Sequence, residues 1–269
     1  MTRALIDGQA GACVAVDDRA LLYGDGLFET IAFRDGRAPL WDLHWQRFQH
    51  GCNVLGLACP EQDHVMAQCR QLSPQHGLAV IRFQLTRGSG GKAYWPAAEP
   101  RPRLIVQGRA WPAELAAQRE KGLRLCTAEL RLASDSPLAG LKHCNRLEQV
   151  LAARECARRD CDEALLFNGQ GLLVEAIASN LVLDLGDDEL VIPDAAAGVA
   201  GVGLQWLLDH APEPIRSLPM DRRQLASVSS ILVINSVTGP RPVRELDGQA
   251  LSFTSRCRAL QKIWIDQLW

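Results

Sequence analysis

The strongest constraint on the fold is a change of hydrophobic period in the N-terminal part of the chain. Residues 27–33 (Leu-Phe-Glu-Thr-Ile-Ala-Phe) are strand-like and are closed by the turn residues 34–37. Residues 43–55 then carry apolar side chains at helical spacing, and a second strand-like run follows at 77–86. This mixture of strands and helices predicts an α+β module.

A proline-rich stretch separates this module from the rest of the chain. Residues 97–102 contain Pro100 and Pro102, a strand candidate follows at 103–107, and residues 108–112 read Gly-Arg-Ala-Trp-Pro. The 269 residues are enough for one large core or two smaller ones. We therefore predict a smaller N-terminal domain over 1–108, a linker over 109–113 and a larger C-terminal domain over 114–269.

Charge and cysteine usage exclude several classes of protein. The formal net charge is −2 and the basic residues are scattered, so we expect neither a nucleic-acid surface nor a membrane-binding patch. No stretch approaches the roughly 18 apolar residues that cross a bilayer, and the N-terminus lacks a signal-peptide core. Nine cysteines without a Cys-x-x-Cys pair are expected to be reduced, and six histidines show no zinc spacing. We expect a cytoplasmic protein with a small-molecule partner and no metal.

The second half begins with a lysine ahead of a helix. Apolar residues recur on one helical face from Leu147 to Ala157, so Lys142 is predicted to stand at a helix entrance. A hairpin is predicted from the strands 163–167 and 172–176 around the turn Asn168-Gly169-Gln170-Gly171. Further strands are predicted at 180–184 and, after Asp187 and Asp188, at 189–192.

Three features of this half suggest chemistry, and each also has an ordinary structural interpretation. A cation at a helix N-terminus opposes the macrodipole, which favours a neutral, nucleophilic amine for Lys142; the alternative is a surface lysine. Glu175 lies in an apolar strand and needs a partner, such as a protonated pyridine nitrogen or a salt bridge. The glycine-rich turn 198–203 before the helical residues 204–208 suggests an anion site, or simply a flexible surface loop.

Taken together, these segments resemble the fold type IV pyridoxal-phosphate enzymes over essentially the whole chain. This family comprises branched-chain and D-amino-acid aminotransferases and aminodeoxychorismate lyases, and the lysine segment is most similar to that of the lyases. The segments that carry the resemblance are 18–30, 44–47, 86–91, 141–151, 175–180 and 235–237. Their order and spacing match those of the family.

The resemblance implies a two-domain α+β fold and a pyridoxal 5′-phosphate cofactor held as a Schiff base on Lys142. It also assigns cofactor-binding roles to Glu175 at the pyridine nitrogen and to Arg47, Asn180, Val202, Gly203 and Ser236. Relatives often carry an arginine in the phosphate turn where Leu204 stands here. A solvated helix arginine remains the alternative for Arg47.

The lyase resemblance further implies conversion of 4-amino-4-deoxychorismate to 4-aminobenzoate and pyruvate by a homodimer. Lys142 would be the catalytic proton shuttle, with help from Thr30, unless that threonine only packs in its strand. Arg87 and Lys92 would bind the substrate carboxylates, or face solvent. The alternative activities are an aminotransferase of the same fold and a non-catalytic carrier of the cofactor, against which the intact pair Lys142 and Glu175 argues.

Overall fold

The computed structural model describes residues 3–11, 13–186 and 189–269. They fall into two compact units. Unit 1 takes in the chain up to Trp111 together with Leu141–Asn145, and unit 2 takes in Pro112–Gly140 and Arg146–Trp269. Lys142 thus belongs to unit 1, whereas the sequence pattern alone assigned it to the C-terminal domain. The predicted Asp187 and Asp188 segment lies outside the described residues.

Unit 1 is an antiparallel sheet with helices, in agreement with the α+β module predicted from the periodicity. Its described elements are β1 (Arg3–Ile6), β2 (Gln9–Ala10), α1 (Arg19–Tyr23), β3 (Gly26–Arg34), α2 (Trp41–Leu55), α3 (Gln62–Leu72), β4 (Leu78–Thr86) and β5 (Arg103–Ala110). Within the described part of this unit the strand order is β2-β1-β5-β4-β3, which leaves β3 at one edge. The predicted strands at 27–33 and 77–86 and the helix at 43–55 are confirmed.

Strand β3 alternates between two faces, and one face forms the core of unit 1. Leu27, Ile31 and Phe33 are buried there against aromatic residues of α2, including Trp45 and Phe48. Burial of large apolar side chains at every second position is what holds α2 on the sheet, at roughly 1.5–3 kcal/mol for each buried side chain. The other face carries Phe28 and Thr30, which are only partly buried.

Unit 2 is built on a larger mixed sheet. Its described elements are α4 (Leu115–Lys121), β6 (Leu123–Leu132), α5 (Leu147–Arg158), β7 (Glu163–Asn168), β8 (Leu173–Ala176), β9 (Asn180–Asp184), β10 (Leu190–Pro193), α6 (Val202–His210), β11 (Ile215–Leu218), a 3₁₀ turn (Gln224–Ser227), β12 (Ser230–Asn235), β13 (Gly239–Leu246), β14 (Gln249–Ala250) and α7 (Ser255–Leu268). The strand order is β11-β10-β9-β12-β13-β6-β7-β8, and β14 pairs with β13.

Strand β7 is buried on both faces and contributes to two apolar clusters of this unit. Leu165 and Phe167 belong to one apolar cluster, and Ala164 and Leu166 belong to another that includes residues of α5. The hairpin predicted between β7 and β8 is confirmed, with an antiparallel register that pairs Leu166 with Glu175. The sheet therefore carries Glu175 into the interior of unit 2.

The helix predicted after the lysine is confirmed as α5, but its packing differs from the prediction. Leu147, Val150 and Leu151 are 75%, 52% and 49% exposed, whereas Ala152 and Cys156 are buried. The helix therefore packs the small side chains of Ala152 and Cys156 on the sheet and presents the larger apolar ones outward.

Candidate active site

The segment that carries Lys142 lies along the free edge of β3. The N–H of Phe28 donates to the carbonyl oxygen of Lys142 at 3.0 Å, and the N–H of Cys144 donates to the carbonyl oxygen of Gly26 at 2.9 Å. The helix α5 begins only at Leu147, after its N-cap Arg146. The predicted position of Lys142 at a helix entrance is therefore wrong, because strand pairing fixes this lysine.

Two cationic side chains share the aromatic ring of Phe28. The Nζ of Lys142 lies 4.7 Å from the ring centroid, and the guanidinium carbon of Arg82 lies 3.7 Å from it. Arg82 stands opposite Thr30 in the register of β3 and β4, so this face of the sheet carries Phe28, Thr30 and Arg82 together. Burial lowers the pKa of Arg82. Arg82 is not among the residues predicted from the sequence, although a charged residue between Ile81 and Phe83 in an apolar strand is a usable signal.

On the opposite face of β3, Glu29 forms a buried charge cluster with α2. The Nε of Arg47 donates to Oε1 of Glu29 at 2.8 Å, and its Nη2 donates to Oε2. The Nδ1 of His44 lies 2.7 Å from Oε2 of the same carboxylate. Glu29 and His44 are each 1% exposed and Arg47 is 10% exposed. Arg47 is therefore not a solvated surface arginine.

The electrostatics of this cluster follow from burial and from charge pairing. Burial would raise the pKa of Glu29, but the positive charge of Arg47 and the hydrogen-bonded contacts with His44 and Arg47 outweigh it and bring that pKa to about 2. Burial lowers the pKa of His44 despite the neighbouring carboxylate. Glu29 is therefore ionised and His44 neutral at neutral pH, so that the carboxylate is balanced mainly by Arg47.

Arg87, the predicted carboxylate ligand, is engaged inside unit 1. Its Nε donates to Oδ2 of Asp25 at 2.8 Å, and its two terminal nitrogens donate to the carbonyl oxygens of Gly56 and Leu55 at 2.9 and 2.7 Å. Arg19 donates to the same Asp25 oxygen at 2.9 Å. Through these bonds Arg87 links the C-terminal end of α2 to Asp25. Lys92, the second predicted ligand, is exposed in a turn that pairs with Trp95.

In unit 2, Glu175 lines a cavity of about 380 Å³. Its side chain is buried, at 5% exposure, and its Oε2 accepts a hydrogen bond from the N–H of Val199 at 2.9 Å. Gly198 lies directly beside the carboxylate, with φ +76°, and a Cβ there would approach Oε2 to 2.8 Å. The glycine turn therefore packs against Glu175 and is not a detached surface loop.

The same turn leads into the N-terminus of α6. Gly201 is the N-cap of this helix, and no side chain caps it. The first N–H groups of a helix have no intrahelical acceptor. The N–H groups of Val202, Gly203 and Leu204 are therefore positioned as donors to an anion. A Cβ at Gly203 would lie 2.9 Å from the backbone nitrogen of Ser236. The structure thus brings Val202, Gly203 and Ser236 close together.

Asn180 supports this turn. Its Nδ2 donates to the carbonyl oxygen of Val199 at 3.0 Å, and a Cβ at Gly201 would overlap its Oδ1. Asn235 holds the Ser236 turn in a similar way, with its Oδ1 accepting from the N–H groups of Val237 and Thr238. Asn180 therefore supports the backbone of the turn that leads into α6.

All nine cysteines are free thiols, and the buried ones are poor nucleophiles. Burial raises the pKa of Cys69 to about 12 and that of Cys126 to about 12. Within residues 3–11, 13–186 and 189–269 there is no group of three or more His, Cys, Asp or Glu side chains suited to a metal ion. Across the same part of the chain, no helix combines the length and the apolar character that a membrane span requires.

Comparison with known proteins gives consistent matches over most of the chain. The model of the family described as amino-transferase class IV matches residues 26–246. The crystal structure of 4-amino-4-deoxychorismate lyase from Pseudomonas aeruginosa superimposes with a TM-score of 0.91 and 37% identity, covering 98% of this chain and 99% of that one.

Two relatives known from their sequences represent two activities. An aminodeoxychorismate lyase from Vibrio harveyi is 28% identical over 242 residues, covering 88% of this chain and 89% of the relative. A putative branched-chain-amino-acid aminotransferase from Methanocaldococcus jannaschii is 26% identical over 249 residues, covering 90% and 85%.

Proposed function

The chain belongs to the amino-transferase class IV family, and from that premise we propose that it is a pyridoxal-phosphate-dependent aminodeoxychorismate lyase. It converts 4-amino-4-deoxychorismate to 4-aminobenzoate and pyruvate. The observation that carries the proposal is the 37% identity to the Pseudomonas aeruginosa lyase over 98% of this chain. Folate biosynthesis is the process that such an activity serves.

The residues of unit 2 fit pyridoxal phosphate. Gly203 must lack a Cβ because the backbone of Asn235 and Ser236 lies against it, and this close approach places the start of α6 beside the Ser236 turn, which supports a phosphate site at this helix N-terminus. Glu175 supplies a buried carboxylate in a cavity, which suits a protonated pyridine nitrogen. When bound, the cofactor supplies an electron sink for the carbon that carries the substrate amine.

Each protein group then has a distinct task. Lys142 is the point of covalent attachment for the cofactor and, once released, its neutral amine removes the proton from the amine-bearing carbon of the substrate. Glu175 keeps the proton on the pyridine nitrogen. Val202, Gly203 and Ser236 hold the phosphate, and the family resemblance implies Arg47 as a further phosphate ligand. Thr30, on the same face of β3 as Phe28, assists the proton transfer by Lys142.

The two substrate carboxylates need cationic partners. Lys92 and Arg87 keep the role that the family resemblance implies, although Arg87 already donates to Asp25 and to two carbonyl groups. Arg82 is an additional candidate because it shares the ring of Phe28 with Lys142. An arginine can bind a carboxylate through two parallel hydrogen bonds.

A branched-chain or D-amino-acid aminotransferase is the second candidate function. The similarity to the Methanocaldococcus jannaschii relative supports it. Such an enzyme would use the same cofactor residues, so that only the residues around the substrate would differ.

The decisive experiment is an assay of the purified protein with aminodeoxychorismate and without a keto-acid acceptor. The lyase produces 4-aminobenzoate and pyruvate in equal amounts through many turnovers. An aminotransferase stops after one half-reaction and needs 2-oxoglutarate to continue. Faster turnover of D- or L-amino acids with 2-oxoglutarate than of aminodeoxychorismate alone would overturn the lyase proposal.

The protein acts as a homodimer in the cytoplasm, as the family resemblance and the composition suggest. The exposed apolar residues Leu147, Val150 and Leu151 of α5 are compatible with a subunit contact. Light scattering coupled to size exclusion tests this part, and a mass of 29.5 kDa in solution would contradict it.

A further inference from the structure

We propose that Glu29 is a positioning residue that orients Arg47 toward the phosphate of the cofactor. This inference rests on the proposed function, in which Arg47 binds that phosphate. It assigns a role to a buried carboxylate that contacts neither substrate nor cofactor.

The position of Glu29 in β3 is unusual for a charged residue. It lies on the core face of the strand between Leu27 and Ile31, both of which are buried in the apolar core of unit 1. Its side chain is 1% exposed. A buried charge in an apolar core is destabilising unless its partners are well placed, so an apolar residue would be the ordinary choice here.

The partners of Glu29 come from one face of α2. His44 and Arg47 lie one helical turn apart, so both reach the same carboxylate. Arg47 meets Glu29 through two parallel hydrogen bonds, from Nε to Oε1 and from Nη2 to Oε2. Such a two-point contact fixes the plane of the guanidinium, whereas a single bond would leave it free to rotate.

The contact with Glu29 uses one edge of Arg47. A guanidinium has five N–H donors in a planar fork, and this pair takes those of Nε and one of Nη2. The donors of Nη1 and the second donor of Nη2 lie on another edge of the same plane. Glu29 therefore determines the direction in which that second edge points, which is what a phosphate ligand requires.

Two effects of Glu29 on phosphate binding oppose each other. Its negative charge offsets the charge of Arg47 and so weakens the attraction for an anion. Its fixed geometry already restricts the rotation of Arg47 before the phosphate binds. The conformational entropy lost on binding is therefore smaller. Because a buried and partnered guanidinium is already oriented, we expect positioning to dominate, and loss of Glu29 to weaken binding.

The experiment compares pyridoxal phosphate with pyridoxal, which lacks the phosphate. The dissociation constants of both are measured on the full-length protein after removal of bound cofactor, and their ratio isolates the phosphate contribution because linkage to Lys142 is common to both. Glu29→Gln should weaken pyridoxal phosphate about 10-fold, the equivalent of about 1.4 kcal/mol, with pyridoxal affinity unchanged. Tighter or unchanged binding of pyridoxal phosphate overturns the inference.

A second variant separates geometry from charge. Glu29→Asp keeps the charge but shortens the side chain by one methylene, so it should also reduce the affinity ratio. A ratio equal to that of the unaltered protein would show that charge alone matters and would overturn the positioning role. The matched control is Asp25→Asn, which removes another carboxylate of unit 1 held by two arginines and should lower the melting temperature with no change in the ratio.

A double-substitution cycle separates the role of Arg47 as a phosphate ligand from the role of Glu29 in positioning Arg47. If Glu29 acts through Arg47, the effect of Glu29→Gln disappears in an Arg47→Lys background. Additive effects would show that Glu29 acts by another route. An Arg47→Lys protein with an unaltered affinity ratio would instead remove the proposed phosphate role of Arg47, independently of Glu29.

Discussion

Lys142 and Phe28 are in contact through both their backbones and their side chains. The N–H of Phe28 donates to the carbonyl oxygen of Lys142 at 3.0 Å, and the Nζ of Lys142 lies 4.7 Å from the ring centroid of Phe28. The edge of β3 thus positions the lysine, and the ring lies against its terminal amine.

Replacing the ring tests this relationship. Phe28→Leu should reduce kcat about 10-fold, since a loss of about 1.4 kcal/mol in the orientation of the lysine has that effect. The matched control is Phe253→Leu, which removes a ring 4.4 Å from the guanidinium of Arg258 in unit 2. Equal losses of kcat in both variants would contradict a specific role for Phe28.

Lys142→Ala should abolish the covalent linkage to the cofactor and reduce turnover by at least roughly 10²-fold, as expected for loss of a proton-transferring group. The purified protein should be yellow, and borohydride reduction followed by peptide mapping should mark Lys142. If another lysine carries the reduced cofactor, the assignment of Lys142 is wrong.

Glu175→Gln and Arg47→Ala should separate catalysis from cofactor affinity. A neutral amide in place of the carboxylate cannot keep the pyridine nitrogen protonated, so Glu175→Gln should bind cofactor and lose most of its turnover. Arg47→Ala should weaken cofactor binding first. Spectroscopic titration with pyridoxal phosphate and steady-state assays measure the two properties, and equal loss of cofactor in both variants would argue against separate roles.

Gly203→Ala should weaken cofactor binding because the new Cβ would lie 2.8 Å from the carbonyl carbon of Asn235 and 2.9 Å from the nitrogen of Ser236. The backbone cannot yield as a flexible side chain does, so the turn has to shift. Gly169→Ala is the control, since its nearest contact would be Oγ of Ser134 at 3.4 Å. Titration should show an increased dissociation constant for Gly203→Ala alone.

The pH dependence of stability should reveal the charge of Glu29. Its pKa falls from 4.5 to about 2 in the folded protein, so its stabilising effect is complete above about pH 5 and is lost as the pH falls through 2. Glu29→Gln should cost about 3 kcal/mol at neutral pH because Arg47 keeps a buried charge without its partner. Denaturant unfolding from pH 7 to pH 2 should show this difference shrinking, and a constant difference would exclude the ionised pair as its source.

Local patterns in the sequence determine much of the secondary structure. The alternation of apolar residues predicts β3 and β4, the helical spacing predicts α2, and the turn around Gly169 predicts the hairpin of β7 and β8. The order of short motifs also predicts the family and the residues Lys142, Glu175 and Arg47. Each of these signals lies within a few neighbouring residues, so that no tertiary information is needed to detect it.

The tertiary structure alone decides which distant residues meet. Lys142 takes its place by pairing with the edge of β3 and not from the helix that follows it in sequence. Arg47 gains the buried partner Glu29, and Arg87 is held by Asp25. Which edge a segment joins, and which charges become buried together, depend on the packing of whole elements. The sequence determines the chemical groups and the local elements, whereas packing determines the partners of those groups. The physical reason is that a buried charge is tolerated only when the fold buries a partner of opposite charge beside it.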